Sequence, residues 1–124
     1  MSGEINKFTD LKVWQDAHKC TVKIYKSTAS FPKNEEFGLS SQIRRAASSI
    51  GANIAEGFGR FHFKDKARFF QNSRGSAFEL QNHIYLARDL GYINNKDAIE
   101  TSLEVDEILR EINGLIRSIS NRTD

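Results

Sequence analysis

The chain has 124 residues, 39% of them hydrophobic and 27% charged, with one proline, one cysteine and a formal charge of +2. That length supports one core-bearing domain over residues 1–124 without disulfides or metals, and the composition excludes disordered, collagenous and disulfide-rich classes. So small a charge does not by itself point to nucleic acid, no apolar run reaches the roughly 18 residues that cross a bilayer, and the lone Cys20 with a polar start leads to the expectation of a cytoplasmic protein.

Met1 to Thr9 is polar and reads as loose, with Phe8 tucked against the first helix and Thr9 or Asp10 as its N-cap. That helix is predicted over about 10–27. Leu11, Trp14, His18, Thr21 and Tyr25 form one stripe, and Val13, Ala17, Cys20 and Ile24 a second beside it. Phe31-Pro32 breaks the pattern. Asn34 is the expected cap of a second helix over about 35–57, with Glu35 and Glu36 at the positive end of its dipole. Leu39, Ile43, Ala46, Ala47, Ile50 and Ile54 recur at steps of three and four, which buries one stripe. Ser48, Ser49, Gly51, Ala52 and Ala55 keep this helix thin, so it is expected to be the central, most contacted element.

Gly57 and Gly59 are expected to supply the freedom of a helix end and a tight turn. A third helix follows over about 63–90, with Phe63, Phe70, Ala77, Leu80, Ile84 and Ala87 on one stripe. Gly75 inside it suggests close approach to the second helix. Gly91 stops that helix, Tyr92 and Ile93 fold back over its end, and Asn94 or Asn95 caps a fourth over about 95–120. Four helices with short connections predict an all-α, antiparallel up-down-up-down four-helix bundle, a rod roughly 30 to 40 Å long. Val105, Leu109 and Ile116, or Val13 and Cys20, would form surplus apolar stripes on such a bundle, which predicts a homo-oligomer.

The search for catalytic patterns finds no phosphate-cradling glycine loop, no paired-cysteine motif and no His-Glu-x-x-His. Glu79 and His83 have no answering pair for a dimetal site, so neither a metal nor a cofactor is expected, and the chain is read as non-enzymatic. His18, His83 and Cys20 lie on helix stripes and read as packing residues. Asn53 and Glu56 read as polar ties between the second helix and a neighbouring loop or helix. A cryptic ribonuclease would centre on His62 and Arg60, although a general base also needs an orienting partner.

Charge distribution is more telling than its sum. Arg44, Arg45, Arg60, Lys64, Lys66, Arg68 and Arg74 make the middle of the chain basic, whereas 97–111 carries an acidic face. These seven cations are the candidate nucleic-acid contacts, RNA or DNA, with Phe61 and His62 as the aromatics able to stack on unpaired bases. The alternative is a protein-only scaffold, with the basic residues forming an ordinary solvated face.

Several segments carry a family likeness: Phe8, Leu11, Val13, Trp14, Gln15 and Ala17; Phe31-Pro32, Glu35 and Phe37-Gly38-Leu39; Gln42 to Ala47, Ser49-Ile50 and Asn53 to Gly57; then Gly75-Ser76 and Glu79-Leu80. In these the chain resembles the four-helix-bundle proteins encoded within intervening sequences of bacterial 23S rRNA genes. The resemblance covers the first three helices; the fourth matches in character only. It implies a compact bundle that assembles as a homopentamer, with no established enzymatic activity. It also implies a likeness to the accessory proteins of diversity-generating retroelements, pentameric bundles that bind nucleic acid and a reverse transcriptase. Arg44, Arg45 and Arg60 match the basic positions of that group. Lys64, Lys66 and Arg68 lie outside the shared motif.

Overall fold

The computed structural model describes residues 4–122, and the looseness expected of residues 1–3 lies outside them. The elements are α1 (Lys12–Thr28), α2 (Leu39–Phe58), α3 (Phe63–Asp89) and α4 (Asn95–Ser120), with 3-10 turns at Phe8–Asp10 and Lys33–Glu35 and no strand among the described residues. The architecture is an all-α four-helix bundle. Its polar cross-links run in opposite senses along successive helices. Thr28 and Thr21 of α1 meet Arg44 and Ala47 of α2; Ser73 and Glu79 of α3 meet Ile50 and Arg45 of α2; Arg74 and Gln81 of α3 meet Asn113 and Asp106 of α4. That is the pairing of consecutive antiparallel neighbours.

Two helix starts differ from the sequence expectation, each for a local reason. Asp10 does not cap α1, because its carboxylate accepts the amides of Asn6 and Lys7 at 2.9 and 3.0 Å and closes the preceding turn. The chain therefore enters α1 two residues late, at Lys12. Asn34 does not cap α2 either. Residues 33–35 form a 3-10 turn after Pro32, and the α-helix begins only at Leu39. The capping oxygen comes from Glu35, which accepts the Leu39 amide at 3.0 Å and the Tyr92 hydroxyl at 2.8 Å. Gly38 leaves space for this, since a Cβ there would sit 2.7 Å from Glu35 Oε1. The later signals are read correctly. Gly91 ends α3 at φ +81°, Tyr92 N–H returns to Ala87 O, and Asn94 caps α4 by accepting the Asp97 amide at 2.8 Å.

The two hydrogen bonds hold the Glu35 carboxyl below its ordinary 4.5, the Leu39 amide contributing most and Tyr92 next. A carboxyl whose folded pKa is depressed contributes stability that is whole above its unfolded pKa and is lost as pH falls through the folded value. Glu35→Gln should therefore melt below the wild type at pH 7, and the gap should close as the pH drops below 4. Paired thermal melts across that range check this.

The α2 stripe is buried along its length, from Leu39 to Ile54, and one core cluster joins it to Ile24, Leu80, Ile84, Ile108 and Ile112 from the other helices. The predicted surplus on α1 and α4 is corrected here. Val13, Cys20, Val105 and Leu109 are all buried and Ile116 packs half-buried against the core, because the α1–α4 seam uses both stripes. The exposed large apolar residues on α3 and α4 are instead Phe78, Tyr85, Leu86, Ile99 and Leu103, with Leu90 just past the end of α3.

The glycines also change roles. Gly75 has nothing within 4 Å of a notional Cβ, so it marks no close approach. The contact between α2 and α3 is made by Ser73, which donates to Ile50 O at 2.8 Å, and by Ser76 against Ser49 at 3.0 Å. Gly57 and Gly59 have no positive φ. Gly57 is needed for space, because a Cβ would meet Phe70 at 2.7 and 2.9 Å and Phe69 Cβ at 3.1 Å. Gly75→Ala should stabilise the protein by about 0.5–1 kcal/mol through backbone entropy alone. Gly57→Ala should destabilise it by about 1–3 kcal/mol, since buried Phe70 must move. Urea midpoints that shift in the same direction for both variants would contradict this assignment.

Candidate nucleic-acid interface

The seven candidate cations do not share one face. Arg44 and Arg45 lie near the end of the bundle that holds the α1–α2 loop. Arg44 donates through Nε to Thr28 Oγ1 at 2.7 Å and through Nη2 to Tyr25 O at 3.2 Å, with its guanidinium 4.9 Å from the Tyr25 ring centroid. It clasps the last turn of α1. Arg45 bonds Glu79 at 2.6 Å, and His83 approaches the same carboxylate oxygen at 3.3 Å. Burial alone would raise the pKa of Glu79, but Arg45 and His83 together hold it below its ordinary value. Arg74 lies on the α3–α4 seam, bonded to Asn113 at 2.9 Å and stacked over Phe78.

The other four gather at the opposite end, around the α2–α3 turn. Arg60 pairs with Glu56 at 2.6 Å and lies 4.5 Å over Phe69, with its Nε buried and without a partner. Lys66 donates to Phe58 O at 2.8 Å, covering the C-terminus of α2, and burial lowers its pKa. Lys64 and Arg68 point outward from the first turns of α3, Arg68 flat over Phe69 at 5.0 Å and within 3.9 Å of Asp65. Arg122 joins this end from beyond α4, its guanidinium 5.2 Å over the Phe63 ring. Sequence reasoning missed Arg122 because only the return of α4 places it beside residue 63.

Phe61, in the α2–α3 turn at this end, is 88% exposed and edge-on to His62 at 5.1 Å. Phe70 is buried, whereas Phe63 and Phe69 lie half-buried beneath the stacked arginines. Cations at the same end as one exposed ring can hold phosphates while the ring stacks an unpaired base. Glu56 and Asp65 temper the charge, each beside one arginine.

The remaining polar candidates are occupied structurally. Asn53 binds Ser49 within α2 and does not reach a neighbouring helix; Glu56 ties the end of α2 to the turn through Arg60. His18 stacks on Trp14 at 4.7 Å, and His83 is buried. Burial pushes the Cys20 thiol up to about 11, which makes it a poor nucleophile. Among the described residues, no three His, Cys, Asp or Glu side chains are placed to share a metal ion, and no helix is long and apolar enough to cross a membrane.

The sequence profile described as 23S rRNA-intervening sequence protein matches residues 9–114. Among solved structures, the fold is similar to that of a protein of unknown function from the S23 ribosomal protein family of Bacteroides thetaiotaomicron. The two share 25% identity and a TM-score of 0.75, over 84% of this chain and 97% of that one. No curated protein matches the sequence.

Proposed function

The chain belongs to the family of 23S rRNA-intervening sequence proteins, and from that premise we propose that it is a cytoplasmic, non-enzymatic, homo-oligomeric module that binds RNA or DNA through the basic end of its bundle. One observation carries the reading: Arg60, Lys64, Lys66, Arg68 and Arg122 gather at the end of the bundle that holds the α2–α3 turn, where Phe61 is exposed. Electrostatic contacts to phosphate supply sequence-independent affinity, and a single protruding ring adds stacking without base preference. A homopentamer, as the family resemblance implies, would repeat this end about an axis and multiply its field.

The surface for self-association is no longer the one expected from the apolar stripes. An apolar groove of about 470 Å³ runs between α1 and α2, walled by Trp14, His18 and Tyr25 over a floor of Gly51, Ala52 and Ala55. Small residues let another backbone approach closely there. The likeness to retroelement accessory proteins belongs to the same proposal. It rests on Arg44, Arg45 and Arg60, of which the first two are engaged in holding the bundle together.

A protein-only scaffold is the second reading, favoured by that engagement and by the exposure of Phe78, Leu86, Ile99 and Leu103. Light scattering separates the two, run with and without a mixed RNA and DNA pool at low and moderate salt. A multimeric particle that grows with nucleic acid and sheds it on added salt supports the proposal. A particle indifferent to both overturns it in favour of the scaffold.

A further inference from the structure

α1 and α4 are neighbours joined by no connecting loop, so the seam between them can part without breaking a turn. Two ion pairs tie it, Lys12 to Glu111 at 2.8 Å and Lys23 to Glu104 at 2.9 Å. Between them runs a groove lined by Asp16, Lys19 and Glu107, with Cys20 and Ile108 buried beneath.

The first tie is unbalanced. Lys12 Nζ donates to Asp16 Oδ2 at 2.7 Å and to Glu111 Oε2 at 2.8 Å, so one positive charge serves two carboxylates from facing helices. The Lys12 side chain is 73% exposed, and water weakens what it gives to each. Glu111 is 15% exposed, and its Oε1 is buried with no hydrogen-bond partner. The charges acting on Glu111 are Lys12 and Asp16, and Lys19 acts on Asp16. Other charges nearby are engaged elsewhere: Glu107 pairs with Arg110 at 2.6 Å, Arg74 of α3 binds Asn113, and Asp10 before α1 accepts the Asn6 and Lys7 amides. A buried carboxylate oxygen without a donor is costly, and a like charge beside it adds to that cost. One proton relieves both. It supplies a donor between the two carboxyls and leaves Lys12, Asp16 and Glu111 with no net charge.

We propose that Asp16 and Glu111 are a proton-sharing carboxyl pair that latches the α1–α4 seam, closing it when one proton lies between them and loosening it when both are ionised. Burial first, and Asp16 after it, hold the Glu111 carboxyl above its ordinary 4.5 against the pull of Lys12. Asp16 lies below its ordinary 3.8, because Lys12 and Glu111 together outweigh its burial. The one-proton state spans the range between them. Since the folded pKa of Glu111 is raised, the stability it contributes is whole below 4.5 and is lost as pH rises through the folded value. At neutral pH the seam is therefore where α1 and α4 part first. The pair shares no residue with the basic end, so it stands or falls independently of nucleic-acid binding.

Cys20 reports on the seam. It is the chain's one cysteine, lies a helical turn beyond Asp16 and is buried, so iodoacetamide reaches it only when the seam opens. Glu111→Gln, whose amide stands for the protonated carboxyl, should slow labelling of the full chain at pH 7.5 by at least about threefold. The same variant should melt above wild type at pH 7, and the gain should close as the pH falls to 4.5, where Glu111 takes up its own proton. A simple ion-pair partner of Lys12 would give the opposite, faster labelling and a lower melting temperature. Labelling of Glu111→Gln as fast as wild type or faster, or a melting difference that does not vary with pH, overturns the latch. Asp16→Asn is the independent check, read by carbon NMR of the glutamate carboxyls. The Glu111 midpoint, above 4.5 in the wild type, should move down in that variant; a midpoint that stays in place overturns the shared proton.

Discussion

Leu80→Ala should destabilise the protein by about 2–5 kcal/mol, a large share of the roughly 5–15 kcal/mol that holds a domain of this size folded. Leu80 is completely buried within the cluster that joins all four helices. Truncation there removes apolar contact and leaves a void that the surrounding isoleucines cannot collapse into without leaving their rotamers. Leu86 on the same helix and Leu90 just past its end are 45% and 49% exposed, so their alanine variants should fall within about 0.5 kcal/mol of wild type. Urea unfolding gives the comparison directly, provided the slope stays constant among the variants.

The second large effect concerns binding. Reversing Lys64, Arg68 and Arg122 to glutamate together should reduce affinity for a single-stranded oligonucleotide by at least about a hundredfold near 0.1 M salt, because phosphate contacts are lost and repulsion replaces them. Phe61→Ala should cost about 1–3 kcal/mol through lost base stacking with little change in the salt slope. These substitutions lie on exposed or half-exposed positions, and the melting temperature should barely move. Arg44→Ala is the informative contrast. Its guanidinium bonds Thr28 and the Tyr25 carbonyl, so it should lower stability more than affinity.

Periodicity made the helices and their buried faces legible, most clearly along α2, where Leu39, Ile43, Ile50 and Ile54 are all inside. Helix starts were less legible, because a 3-10 turn with a carboxylate reaching forward, as at Glu35, looks in sequence like a capped first turn. Glycine roles could not be assigned without neighbours: the space that Gly57 leaves for Phe70, and the open surroundings of Gly75, are tertiary facts. The basic middle of the chain was visible as composition, but the length of α2 put Arg44 and Arg45 at one end and Arg60 to Arg68 at the other. Helix packing brought Arg122 to Phe63 across about half the chain. Charge runs along a sequence become a patch only when the turn between helices keeps them together.

The most direct test of the basic-end proposal is the salt dependence of binding to a labelled single-stranded RNA, followed by fluorescence anisotropy from low to moderate salt. Each phosphate contact on a single strand contributes a slope of about −0.7 in log affinity against log salt. The basic end, with its five cations partly offset by Glu56 and Asp65, predicts a slope of about −2 to −3 per subunit engaged, reduced by the triple glutamate variant. A flat salt response, or a slope unchanged in that variant, would contradict nucleic-acid binding through this end of the bundle.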